Sequence, residues 1–263
     1  MDGREAERTG LARRIERAHA LQLERTRAAR GVGAPAVEVG GGLAVSHGVR
    51  SPFSAAIGVG LGVAVTPADV DRIERHLGLG GGPVRVEVTP SSDASLTEEL
   101  GRRGYQVERF FLVWTRAPVP SSGGGEPDPR VRTAAPGEAR EWVEIFARAF
   151  FGAPTQSDAQ RASLASMLAA EGNQAWLALR AGAPCGVALA SAEDGVAWLS
   201  GAGVLPAARG DGLQAALVHA RLAWAASRGC DVAAAATEPG TASQRTLERC
   251  GFGVAYPKIV LVR

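Results

Sequence analysis

The sequence predicts a mixed α+β fold built from two related halves, each a mixed, largely antiparallel sheet flanked by helices. Three observations carry that reading. Short apolar runs of strand length alternate with helix-period segments, a Pro/Gly-rich stretch interrupts the chain, and the two halves end alike. The stretch is Ala117-Pro-Val-Pro-Ser-Ser-Gly-Gly-Gly-Glu-Pro-Asp-Pro129. Proline withholds a donor and Gly and Ser are costly to order, so neither helix nor strand is expected there. The expected division is a domain 1–116, a linker 117–129 and a second domain 130–263. Placing Gly104-Tyr105 over Gly251-Phe252 brings Leu100 onto Leu247, Val107 onto Val254, Val113 onto Val260 and Arg116 onto Arg263. The tail matches without a gap over 13 residues, which reads as an internal duplication.

Element by element, Leu11, Ile15 and Ala18 recur at helical spacing in the N-terminal segment. Ala36-Val-Glu-Val39 and Val84-Arg-Val-Glu-Val88 read as strands, and Asp69 to Leu77 as a helix followed by a Gly80-Gly-Gly82 turn. In the second half Val131 to Thr133 is a short strand. Glu138 to Phe150 places Trp142, Ile145, Phe146 and Ala149 on one helical face, and Ala159 to Ala170 is a second helix. Ala175 to Arg180 and Cys185 to Ala190 are strands joined by the turn Ala181 to Pro184, and Val196 to Val204 is a third. Asp211 to Ser227 is a long helix stopped by Gly229. Val232 to Thr237 is a buried strand. Thr241 to Arg249 is a helix opened by the pair Thr241 and Gln244, and a last strand ends the chain.

Composition excludes several classes. Apolar residues make up 46% and charged residues 21%, an ordinary globular balance. Net charge is +2, from 29 basic and 27 acidic side chains, which argues against a nucleic-acid partner. Only Lys258 among the basic residues is lysine, and the arginine excess reads as compositional bias. Cys185, Cys230 and Cys250 are odd in number and unpatterned, so neither a disulfide framework nor a zinc site is expected. His47, His76 and His219 share no ligand spacing, and no metal is expected. No run approaches the roughly 18 apolar residues that cross a bilayer, and the charged N-terminal segment does not read as a secretory signal. A cytoplasmic protein with no membrane partner is the expectation.

Chemistry concentrates in Gly203-Val-Leu-Pro-Ala-Ala-Arg-Gly-Asp-Gly-Leu-Gln-Ala-Ala-Leu217. A strand runs through a glycine loop into a long helix. Gly210 and Gly212 allow close backbone approach, the helix start offers unpaired N–H groups at the positive end of its dipole, and Arg209 adds a charged donor. That combination suits a pyrophosphate. A phosphate loop of the Gly-x-x-x-x-Gly-Lys-Ser/Thr kind is absent, and the loop comes too late for a dinucleotide fingerprint.

The segment resembles motif A of the GNAT (Gcn5-related N-acetyltransferase) superfamily, whose Arg/Gln-x-x-Gly-x-Gly/Ala turn follows a Val-x-Pro strand end. Here these are Arg209-Gly-Asp-Gly212-Leu-Gln214 and Val204-Leu-Pro206, with Gln214 departing from Gly or Ala. Arg249-Cys-Gly-Phe252 resembles the ending of motif B, and with the duplication the chain resembles a tandem member whose first half is degenerate.

The resemblance implies a CoA-dependent N-acyltransferase, acetyl-CoA being the acyl donor, acting by direct attack of a small-molecule amine. Arg209, Gly210, Asp211, Gly212, Leu213 and Gln214 would hold the pyrophosphate. Ala202, Gly203 and Val204 would bulge from the neighbouring strand to bind pantetheine and polarise the thioester, and Ser243 would meet the pantetheine arm. The resemblance puts Leu247 where many members carry a tyrosine that protonates the leaving thiolate. Tyr256 is the candidate substitute acid, and Glu238, after the central strand, the candidate base. For Glu38, an acid in an apolar strand, the two readings are an outward side chain and one that enters a cleft. Val65-Thr-Pro67 resembles the strand end in the first half, yet Ala68-Asp-Val-Asp-Arg72 offers no glycine pair, so one CoA site is expected. A non-catalytic acyl-CoA sensor or scaffold and a protein N-acetyltransferase are the alternatives.

Overall fold

A computed structural model describes residues 3–48, 51–79, 81–118 and 128–263. Most of the expected linker, residues 119–127, lies outside the described residues, as does Gly80. The chain separates into two compact units. Unit 1 takes Met1–Val113, Thr237–Pro239 and Val254–Arg263; unit 2 takes Trp114–Ala236 and Gly240–Gly253.

In chain order the elements are α1 (Gly3–Arg30), β1 (Val37–Val39), β2 (Gly42–Val45), β3 (Ala55–Ile57), α2 (Pro67–Leu77), β4 (Arg85–Val88), α3 (Ala94–Arg102) and β5 (Gln106–Arg116). The second half gives β6 (Val131–Thr133), α4 (Ala139–Phe151), α5 (Asp158–Ala169), β7 (Asn173–Arg180), β8 (Ala183–Glu193), β9 (Val196–Val204), α6 (Leu213–Ser227), β10 (Val232–Thr237), α7 (Ala242–Arg249) and β11 (Gly253–Val262). Every expected element forms, except a strand end at Val65-Thr-Pro67, where Pro67 opens α2. Their ends move by a few residues, and α6 begins at Leu213 rather than Asp211 because Gly210 and Gly212 are left-handed, at φ 92° and 77°. None of the helices is long and apolar enough to cross a membrane, among the described residues.

Unit 1 orders its strands β1-β2-β3-β4-β11-β5. Val70, Ile73 and Leu77 of α2 and Leu96 and Leu100 of α3 pack on Ala44, Ala56, Val86 and Val88. Ala20 of α1 packs on Leu43, Val45, Ala55 and Ile57. Burying side chains of this size contributes roughly 1.5–3 kcal/mol each for the larger aliphatics. β11, far from β4 in sequence, belongs to unit 1 and pairs with β4 antiparallel from Ile259↔Val88 to Val262↔Arg85.

The two segments that align in sequence share their local geometry. Helices α3 and α7 end in the same cap. Gly104 and Gly251 both sit at φ 78°, Tyr105 N–H donates to Leu100 O at 3.1 Å, and Phe252 N–H to Leu247 O at 3.0 Å. The Gly104 and Gly251 amides reach Gly101 and Glu248 carbonyls at 3.1 and 2.9 Å, completing a Schellman turn in each copy. Each cap then feeds a long strand, β5 or β11, so the two strands start from equivalent geometry.

Unit 2 orders β10-β9-β8-β7-β6, with β9–β10 parallel and the other pairs antiparallel. The turns at Ala181-Gly182 and Asp194-Gly195 are left-handed at both residues, as two-residue hairpin turns demand. Trp142, Ile145 and Phe146 of α4 pack on one sheet face against Leu177, Val187 and Leu189. Leu213 and Leu217 of α6 pack with Trp176, Ala188 and Val204 in a second cluster.

Candidate functional site

Strand β9 is irregular around Ala202 to Val204, where the family resemblance implies that pantetheine would bind. Val187 of β8 faces Gly203, while Leu189 faces Ser200, so β9 takes three steps where β8 takes two. The extra residue makes a bulge at Gly201-Ala202. Gly201 sits at φ 54°, and a β-carbon there would lie 3.2 Å from Leu189 Cβ. One on Gly203 would meet Ala149 Cβ at 2.8 Å, so α4 presses directly on this stretch. On its other edge β9 pairs with β10 only from Val196↔Val232 to Trp198↔Ala234. Both strands continue beyond that point, to Val204 and Thr237, and part. A parting beside a bulge presents backbone donors that no ladder uses.

The loop after β9 delivers α6 with its start open. The N-cap is Gly212, which brings no capping side chain, and the first helical bond is Ala216 N–H to Gly212 O at 3.0 Å. The first N–H groups of α6 therefore lack helical partners, at the positive end of a 15-residue helix. A β-carbon on Gly210 or Gly212 would meet nothing within 4 Å, so both glycines serve the left-handed turn and leave the approach clear.

Helix α2 is its counterpart in unit 1, and there the start is closed. Thr66 Oγ1 accepts from Asp69 N–H at 3.3 Å and Asp69 Oδ2 accepts from Thr66 N–H at 2.9 Å. Those hydrogen bonds hold the Asp69 carboxyl below the ordinary carboxylate range. A side-chain anion thus occupies the place that stays vacant of side chains in unit 2.

Arginines gather around the open start. Arg209 is exposed and folds back, its Nε donating to Val204 O at 3.2 Å and Nη2 to Ala149 O at 3.4 Å. Arg180 Nε lies 3.0 Å from Asp211 Oδ2, and Arg130 Nη1 donates to Asp211 O at 3.0 Å. Arg130 also pairs with Asp128 at 2.8 Å and holds that carboxyl below its ordinary range. Sequence reading missed Arg130 and Arg180 because nothing separates two useful arginines from a general excess, and neither lies near the loop in sequence.

The structure brings Ala202, Gly203, Val204, Arg209, Gly210, Asp211, Gly212, Leu213 and Gln214 together in one strand–loop–helix. Ser243 is exposed on the first turn of α7, also in unit 2. Glu238 is exposed after β10, in a short segment grouped with unit 1. Tyr256 belongs to unit 1 as well, where its phenol donates to Glu16 Oε1 at 2.9 Å and burial pushes its pKa up. Leu247 is buried and forms the apolar side of the α7 cap, like Leu100 in α3. Glu38 faces outward.

Two other features attract notice. Ligand atoms of Glu16, His19 and Glu87 lie within 4.8 Å of one another, but Lys258 Nζ sits 3.0 Å from Glu16 and 2.6 Å from Glu87, where a cation would stand. A concavity of about 450 Å³ is lined by Ala192, Glu193, Asp194, Gly195, Ser227, Arg228 and Cys230. It lies at the C-terminal end of α6, the negative end of the helix dipole, which disfavours an anion.

A strand–bulge–loop–helix with an open, arginine-rimmed start suits an anionic ligand such as a pyrophosphate. Residues 139–252, from α4 through the cap of α7, match the Acetyltransferase (GNAT) family. Among solved structures, a GCN5-related N-acetyltransferase from Kribbella flavida is similar at 21% identity and a TM-score of 0.68, over 96% of this chain and 95% of that one. One from Sphaerobacter thermophilus shares 21% identity over 69% of this chain and 59% of its own, at a TM-score of 0.52. A tandem GNAT protein from the clavulanic acid biosynthesis pathway shares the fold at 13% identity, over 69% of this chain and 63% of that one, at a TM-score of 0.52. No curated protein matches the sequence.

Proposed function

We propose that unit 2 binds acetyl-CoA and transfers its acyl group to an amine of a small molecule by direct attack. One observation carries this reading: the bulged, parting end of β9 leads through a short glycine-containing loop into a helix start that no side chain closes. In this reading the N–H groups of Leu213 and Gln214, the backbone at Gly210 to Gly212 and the Arg209 guanidinium hold the pyrophosphate. The backbone at Ala202, Gly203 and Val204 holds pantetheine and polarises the thioester carbonyl, and Ser243 meets the arm. Bound side by side, donor and amine gain from proximity. Glu238 takes the proton that the amine sheds. Tyr256 is a poor source of the proton that the thiolate needs, since its hydrogen bond to Glu16 and its burial both oppose giving it up.

Calorimetric titration tests the site. Acetyl-CoA should bind saturably, and Arg209→Glu or Gly212→Trp should weaken binding by about tenfold or more, because a charge-assisted hydrogen bond contributes roughly 1.5–3 kcal/mol. Absence of heat with the unaltered protein would end the proposal. A second reading, an acyl-CoA sensor without turnover, is favoured by the apolar role of Leu247 in the helix cap. Thiol release across a panel of amines separates the two: binding without release on any acceptor favours the sensor.

A further inference from the structure

Arg221 lies on the inner face of α6, 3% exposed. Its Nε donates to Leu217 O at 3.0 Å, and Nη1 reaches the carbonyls of Leu189 and Ser200, each at 3.4 Å. Leu189 and Ser200 face one another at the edge of the bulge, and Ser200 is two residues beyond Trp198, the last β9 residue that pairs with β10. The guanidinium therefore stands at the parting. Among the described residues it pairs with no carboxylate, and its titratable neighbour is Cys250, the cap of α7.

A charge in such a place is expensive. Taking a cation out of water without a counter-ion costs several kcal/mol, and three carbonyl dipoles offset only part of it. Desolvation lowers the Arg221 pKa to about 10, which leaves it protonated at neutral pH. A glutamine could donate to the same carbonyls without that penalty, but it could not supply a positive charge at the strand parting. Perturbed, uncompensated charges of this kind cluster at functional sites.

We propose that Arg221 supplies the positive charge that stabilises the departing thiolate of the acyl donor, in the place of the phenol that Leu247 cannot provide. The inference rests on the reading of unit 2 as an acyl-CoA site. The amine nitrogen bonds to the thioester carbon, the C–S bond breaks, and its electron pair stays on sulfur. The proton shed by nitrogen goes to Glu238 or water, and the thiolate takes one from water afterwards. Arg221 keeps its own proton throughout and acts by charge alone.

The test reads the thiol of bound CoA, titrated by the ultraviolet absorbance of its thiolate, with calorimetry of CoA and desulfo-CoA alongside. An opposite charge within about 4–6 Å lowers a pKa by roughly 1–3 units, so the bound thiol should titrate at least about one unit below its usual value of about 8.5. Arg221→Lys should keep that shift. Arg221→Gln should remove it and weaken CoA about tenfold at alkaline pH, while desulfo-CoA binds both proteins alike. An unshifted thiol in the unaltered protein overturns the proposal whether or not the glutamine variant folds. So does a shift that survives in Arg221→Gln, or equal loss of CoA and desulfo-CoA, which would mark a purely structural role. No heat with either ligand would instead overturn the acyl-CoA reading, and this inference with it.

Discussion

Replacing Lys258 by methionine should unfold unit 1 or bring it to the edge of unfolding, although the site lies elsewhere. Lys258 is the chain's single lysine and is 2% exposed on β11. Its ammonium lies 3.0 Å from Glu16 Oε2 on α1 and 2.6 Å from Glu87 Oε2 on β4. Glu16 also receives the Tyr256 phenol, and His19 Nδ1 stands 3.6 Å from Glu87. One cation therefore serves two carboxylates, and it ties the N-terminal helix and the last strand to the middle of the sheet. Removing one partner of a buried pair costs about 3–5 kcal/mol because the other charge stays buried and alone. Here two carboxylates would be left facing each other, so the upper end of that range applies. Against a total stability of about 5–15 kcal/mol, the loss is a large fraction.

Urea unfolding followed by circular dichroism measures it. Neutralising the acids together with the lysine, as Glu16→Gln/Glu87→Gln/Lys258→Met, should restore at least about 2 kcal/mol relative to Lys258→Met alone, since replacing every partner is far milder than orphaning one. A cost below about 1 kcal/mol for Lys258→Met, or no recovery in the triple variant, would refute the reasoning.

Two further outcomes are expected. Burial holds His19 at a pKa of about 3 and His47 at about 4, so the unfolded chain binds more protons than the fold below an ordinary pKa of about 6.5; stability should fall as pH drops from about 6.5 towards 4, and His47→Gln should flatten a urea-midpoint profile over that window by up to about 3 kcal/mol. Asp69→Ala should cost about 1 kcal/mol of unit 1 stability through the lost α2 cap, read by thermal melting, yet leave the calorimetric stoichiometry at one acetyl-CoA, because the start of α2 still lacks a glycine pair.

Much of this molecule was legible before any coordinates. Strand and helix periods located β6 to β10, and Gly210 and Gly212 marked the turn before α6 because only glycine accepts those backbone angles readily. The bulge was legible only through the family resemblance, since nothing in Ser200-Gly-Ala-Gly203 says by itself that β9 outruns β8 by a residue. Long-range partners were not legible at all. Arg130 and Arg180 reach Asp211 from 81 and 31 positions away, and Glu16 meets Lys258 across 242. Such meetings depend on topology, which residue spacing does not encode. The arginine-rich composition hid the rest, because a buried Arg221 looks in sequence like any of its surface counterparts.

The two helix starts differ, closed by side chains at α2 and open at α6. The strand end expected at Val65-Thr-Pro67 does not form, since β3 stops at Ile57 and Pro67 opens α2, whereas Pro206 lies in the loop between β9 and α6; each helix points a positive dipole end at its preceding loop. At α2 the demand for an anion is met within the chain, by an aspartate three residues after its threonine cap, which gives a stable helix and closes the position. At α6 glycine stands at the cap, so the first donors stay open and the helix forgoes a few tenths of a kcal/mol of capping. The open start is held by packing instead, with Leu213 and Leu217 buried beneath it. The proposed binding site is a helix end whose stability comes from its apolar face rather than from its cap.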